Sequence, residues 1–198
     1  MPRTADLATL DQDELFQLAV NASQGGDSAS AIACLKQAVA RVDATAKAHY
    51  LLGAEYAQIR MYERAVELMA SALALDPTLS VARLQLGLLW LAAADTDRAA
   101  SVLASLAELP EGEPLRYFGA GLCHLIGDRI AEARAHLELG IARNTAILPL
   151  NVDMRRILDE MARLAAGQGA AAADSTKAHE SEDGRHILLS AYTGNTSH

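Results

Sequence analysis

Small residues recur along this chain at an interval of 34. Ala31, Ala65, Ala99 and Ala133 share that spacing, and Leu35, Met69, Leu103 and Leu137 repeat it four residues later. A third register, twelve residues before the alanines, reads Ala19, Gly53, Gly87 and Gly121, preceded by Leu18, Leu52, Leu86 and Ala120. A period of this length means one supersecondary unit stacked on copies of itself, because a single unit cannot bury its own apolar face. The unit is helical. The apolar share, 51% of 198 residues, is mostly Ala and Leu, which lose little freedom in a helix, and it is large enough to exclude disorder of the whole chain.

Turn and cap chemistry falls between the periodic segments: Gly25-Gly26-Asp27-Ser28, Asp76-Pro77, Asp95-Thr96-Asp97 and Gly127-Asp128. The pattern predicts helices near 12–24, 28–42, 46–59, 62–75, 80–93, 96–109, 114–126 and 130–143. A small residue in the first helix lets the second approach closely, and the alanine of the second meets the next unit.

The segment 46–79, with Leu52, Gly53, Tyr56, Ala65, Met69, Ala72 and Pro77, resembles the tetratricopeptide repeat. The third copy keeps Leu86, Gly87, Trp90, Ala99 and Leu103 but has Leu106 where a small residue is usual, so its helix pair is expected to end differently. The fourth keeps Tyr117, Gly121, Ala133, Leu137 and Gly140 with His124 at the aromatic position. The first is weakest, with Leu15, Leu18, Ala19, Ala22, Ala31, Leu35 and Ala38. The resemblance implies an all-α, right-handed superhelical solenoid of about four helix pairs, at 12–45, 46–79, 80–113 and 114–147, after an extension at 1–11. Residues 148–166 read as a capping helix, with Val152, Ile157, Leu158, Met161 and Leu164 on one face and Asp153, Arg155, Asp159, Glu160 and Arg163 largely opposite. The Gly-, Ala- and acid-rich stretch 167–185 reads as a flexible linker, and 186–198 as a docking segment whose apolar residues are Ile187, Leu188, Leu189 and Tyr192.

The resemblance also implies which residues line the concave face. At its fifth register stand Phe16, Tyr50, Leu84 and Phe118, at its ninth Val20, Ala54, Leu88 and Leu122, and at its twelfth Ser23, Ala57, Leu91 and Leu125. This makes an apolar groove suited to an apolar peptide or amphipathic helix of a partner protein. The competing reading is that Leu88, Leu122 and Leu125 are buried as core. Members of the family that grip acidic C-termini carry Lys and Asn where Phe16 and Val20 stand, so that specificity is not expected here. In size, acidity and groove the chain is similar to the tetratricopeptide chaperones of type III secretion, which implies a bacterial secretion chaperone or adaptor. The alternative is a self-associating structural subunit, a homo-oligomer whose tail docks on a neighbour.

Several functions are disfavoured. A formal net charge of −8 without a Lys/Arg cluster argues against nucleic acid. The apolar run Leu84 to Ala94 is too short to span a bilayer, and the first residues lack a signal peptide's basic and apolar regions, so a cytoplasmic location is expected. Cys34 and Cys123 fit no redox or metal spacing and read as reduced thiols. No nucleotide, zinc-protease or hydrolase motif is present, the histidines are scattered, and the acidic residues read mostly as solvated outer faces. A non-enzymatic protein without cofactor or metal is therefore expected.

Overall fold

The computed structural model describes residues 7–172. The chain is all-α: α1 Gln12–Gln24, α2 Ser28–Val39, α3 Ala46–Gln58, α4 Tyr62–Leu75, α5 Ser80–Ala92, α6 Thr96–Ala104, α7 Pro114–Ile126, α8 Ile130–Arg143 and α9 Leu148–Ala172. Short 3-10 turns, Leu7–Thr9 and Ser105–Glu108, precede α1 and follow α6. Two compact units, Met1–Leu86 and Gly87–His198, divide within α5. In the first, α1 packs on α2, α2 on α3 and α3 on α4; in the second, α6 packs on α7, α7 on α8 and α8 on α9.

The periodic residues form the contacts within the pairs. Ala31, Ala65, Ala99 and Ala133 are fully buried, and Leu35, Met69, Leu103 and Leu137 lie beside them in the core. A β-carbon placed on Gly53 would lie 3.2 Å from the Ala65 carbonyl oxygen and from Met69 Cε. On Gly121 it would lie 2.7 Å from Leu137 Cδ2, and on Gly87 2.5 Å from Leu103 Cγ and Cδ2. The glycine register is thus a point of close approach, and a methyl group has room at none of the three without a shift.

Helix ends follow the same period. Asp11 and Glu14 form a reciprocal capping box on α1, and Asp27, Thr45 and Asp95 accept the Ser30, Ala48 and Arg98 amides at the starts of α2, α3 and α6. Between the paired helices the chain turns four times alike. Gly26, Arg60, Ala94 and Asp128 have left-handed backbone, with φ of 76°, 62°, 59° and 55°. The next residue's amide then donates back across the turn: Asp27 to Ala22, Met61 to Tyr56, Asp95 to Trp90 and Arg129 to His124, at 2.8–2.9 Å. This closing pattern places an αL residue after the helix, a position that favours Gly; only one of the four is Gly. A β-carbon on Gly26 would meet nothing within 4 Å. Gly26→Ala is therefore expected to cost about 1 kcal/mol through conformation alone, and Ala94→Gly to gain about 0.5–1 kcal/mol, a difference read by urea unfolding.

The third pair departs where Leu106 replaces a small residue. α6 stops at Ala104 and continues as the 3-10 turn, which buries Leu106 against α7. The approach is possible because position 119 is Gly: a β-carbon there would lie 2.8 Å from Leu106 Cβ and 3.2 Å from the Leu103 carbonyl oxygen. Leu106 and Gly119 are complementary departures from the repeat.

α9 begins 34 residues after α7 and so enters in the phase of a first helix. Arg155 stands at the register of Gly53, Gly87 and Gly121, and it is exposed. Its core face is Leu150, Met154, Ile157 and Met161, with Asn151 and Glu160 also buried, which corrects the face read from sequence. Val152 is 54% exposed, because on a 3.6-residue turn it points well away from Ile157. The helix also continues to Ala172, beyond the boundary expected at 166, through residues rich in Ala. Asn144 fixes the junction with α8: its side-chain amide donates to the Ile147 carbonyl at 2.7 Å and to Asn151 Oδ1 at 2.8 Å, and Asn151 Nδ2 donates to the Asn144 carbonyl at 3.0 Å.

Candidate functional site

The expected groove residues divide by exposure. In the first unit Phe16 and Val20 on α1, and Tyr50 and Ala54 on α3, are half-buried, each pair one helical turn apart. Burial raises the Tyr50 phenol above its usual pKa, as expected for a ring partly withdrawn from water. Leu84, Leu88, Leu91, Phe118 and Leu122 are 0–2% exposed and belong to the core, a correction to their expected place on an open face. α5 carries Leu84, Leu86, Leu88, Leu89 and Leu91 within eight positions and all five are buried, while Arg83, Gln85 and Trp90 of the same helix are only partly covered. Phe118 faces α8: a β-carbon on Gly140 would lie 2.5 Å from two of its ring carbons. Ile187, Leu188, Leu189 and Tyr192 lie outside the described residues.

On one of the same helices sits a polar group that the sequence did not single out. Glu55, on α3, is 1% exposed. Its Oε1 accepts the Ser23 hydroxyl of α1 at 2.5 Å, and its Oε2 is buried without a hydrogen-bond partner. The signal available in sequence was its neighbourhood: Glu55 lies between Ala54 and Tyr56, on a helix with few other charges.

Along α1 an apolar hollow of about 350 Å³ is lined by Leu10, Glu14, Gln17 and Leu18. Leu18 is 41% exposed, whereas Leu52 and Leu86, at the same register, are core.

The fourth pair carries a ring cluster. His124 and His136 have centroids 4.8 Å apart, His136 stands 6.5 Å from Tyr117, and the Arg143 guanidinium lies 4.9 Å from the Tyr117 ring centre. Arg129 Nε donates to His124 Nδ1 at 2.8 Å, which holds His124 neutral with its proton on Nε2. Burial lowers the His124 pKa, and Arg129 and His136 lower it further. The unfolded chain therefore binds more protons than the folded one, so stability is complete above about pH 6.5 and declines as pH falls below it. His124→Tyr, which restores an aromatic, is expected to flatten the fall in melting temperature between pH 7.5 and 5.5; an unchanged slope would assign the fall to other groups. Among the described residues no three His, Cys, Asp or Glu side chains converge to hold a metal, and no helix is long and apolar enough to cross a membrane.

This geometry, small residues at fixed registers of paired helices with closing turns in phase, is that of the tetratricopeptide-repeat fold. Residues 46–79 match the family model described as Tetratricopeptide repeat. Among solved structures the fold is similar to MamA from Desulfovibrio magneticus RS-1, at 16% identity and a TM-score of 0.58 over 98% of this chain and 99% of that one. It is also similar to another MamA structure, at 22% identity and a TM-score of 0.57 over 67% of this chain and 78% of that one. YrrB, a tetratricopeptide-repeat protein described as having an unusual peptide-binding site, matches at 17% identity and a TM-score of 0.56, over 72% of this chain and 73% of that one. No curated protein sequence matches the chain.

Proposed function

We propose that the protein is a non-catalytic interaction module that holds an apolar peptide or amphipathic helix of a partner against Phe16, Val20, Tyr50 and Ala54. The observation that carries this reading is that these four residues, on two helices of one unit, keep part of their apolar surface in contact with solvent, while the matching registers of the second unit are core. Large aromatic and aliphatic side chains left half-covered on adjacent helices are the pattern of a surface kept for a ligand. The peptide site described for YrrB gives a precedent in a similar fold. A secretion chaperone or adaptor is the sharper form of this reading, and the acidic net charge and apolar contact residues support it.

The test is capture of partners from the native cell by the full chain and by Tyr50→Glu. A partner retained by the wild type and lost from the folded variant supports the site; equal capture by both removes it. A second reading, self-association, draws on the uncovered hollow at Leu10 and Leu18. Light scattering of the full chain and of Leu18→Glu separates the two: an oligomer dissociated by Leu18→Glu favours self-association, and a monomer leaves the peptide reading.

A further inference from the structure

The least explained group in the first unit is the Glu55 carboxylate. A carboxylate accepts hydrogen bonds at both oxygens, and burying one costs free energy unless both are satisfied. Here Oε1 receives the Ser23 hydroxyl and Oε2 receives nothing, although the side chain is 1% exposed. Such an atom in a folded protein calls for an account.

Its location supplies one. The Ser23–Glu55 bond crosses from α1 to α3, the two helices that carry Phe16, Val20, Tyr50 and Ala54. Ser23 lies one turn beyond Val20 on α1 and is only partly covered, and Glu55 directly follows Ala54 on α3. The carboxylate is thus buried between the two helices that carry the apolar surface, behind a hydroxyl that can rotate between staggered positions at small cost. Among natural side chains, Arg and Lys combine an apolar stem that can lie along such a surface with a cationic donor head, and a guanidinium can engage both carboxylate oxygens. A chain with 25 Asp and Glu against 17 Lys and Arg attracts a basic segment at longer range as well.

We propose that the segment bound at this surface carries an Arg or Lys among its apolar residues, and that Glu55, opened by rotation of Ser23, receives it. The inference rests on the peptide-binding reading above and adds the chemistry of the ligand. Glu55 becomes the specificity determinant, with the aromatic and aliphatic residues supplying most of the contact area.

A random twelve-residue peptide library displayed on phage and selected on the immobilised full chain tests both levels. Enrichment of apolar residues around a basic one on the wild type is expected, with the basic preference lost and the apolar one kept on Glu55→Gln, and both lost on Tyr50→Glu. An enriched peptide is then synthesised with its Arg and with citrulline in its place, and titrated against the wild type. The citrulline form is expected to bind about tenfold more weakly or worse, a comparison that does not depend on the folding of any variant. Apolar enrichment without a basic preference, or equal affinity of the two peptides, would overturn the role of Glu55 and leave the peptide surface standing. Failure to enrich any peptide would overturn both.

Discussion

Phe118→Ala is expected to lower the unfolding free energy by about 3–5 kcal/mol, a large part of the roughly 5–15 kcal/mol that stabilises a typical domain. Phe118 is 0% exposed and heads the fully buried side chains by volume. Its ring fills the space left by the missing side chain of Gly140 on α8, where a β-carbon would lie 2.5 Å from Phe118 Cδ1 and Cε1. Truncation leaves a void bounded by a helix backbone that cannot collapse into it, so the cavity term adds to the lost transfer free energy. Chemical denaturation of the full chain measures the loss. A cost below about 1 kcal/mol, the usual range for surface changes, would return Phe118 to the accessible face that the repeat register implied.

Gly87→Leu is the second large effect. A methyl group alone would lie 2.5 Å from Leu103 Cγ and Cδ2, well inside van der Waals contact, and a longer side chain adds atoms to the same crowded contact. Overpacking costs about 1–3 kcal/mol per insertion where neighbours can shift, and this substitution is expected at or above the upper end. Among alanine substitutions the cost should rank Gly87 first, Gly121 next and Gly53 least, following approach distances of 2.5, 2.7 and 3.2 Å. Combining Gly87→Ala with Leu103→Ala should recover part of the single losses, because each removes the clash or void that the other creates. Strict additivity would show that the two residues do not share the contact.

How far the sequence reaches depends on how local the cause is. Helix α1 runs over the expected residues because Asp11 and Glu14 cap it and Gly25-Gly26 ends it; α7 does so because Pro114 opens it and Gly127 closes it. The end of α6 was flagged by Leu106, but the reason that Leu106 is accommodated, Gly119, carries no signal unless the two positions are known to touch. The left-handed turns at Arg60 and Ala94 were illegible for a related reason. The stacked pairs impose the same closure at every repeat, and a residue that does not favour αL is held there by its neighbours.

The candidate site divides along the same line. Phe16, Val20, Tyr50 and Ala54 were assigned to one face by the register of the repeat that the sequence resembles; helical phase by itself accounts only for Phe16 with Val20 and for Tyr50 with Ala54, each pair one turn apart on its own helix. Whether that face is open could not be read, because exposure depends on what lies on the far side: the registers that leave Tyr50 half-covered bury Phe118 completely. Glu55 shows the limit most clearly, since an acidic side chain on a helix reads as solvated until a second helix brings Ser23 to it. The 34-residue period, the caps and the helix pairing follow from the sequence by itself, through local propensity and repetition. Only the tertiary structure decides which of the equivalent registers is core, which is surface and which charge is buried, because burial is a relation between segments far apart in the chain.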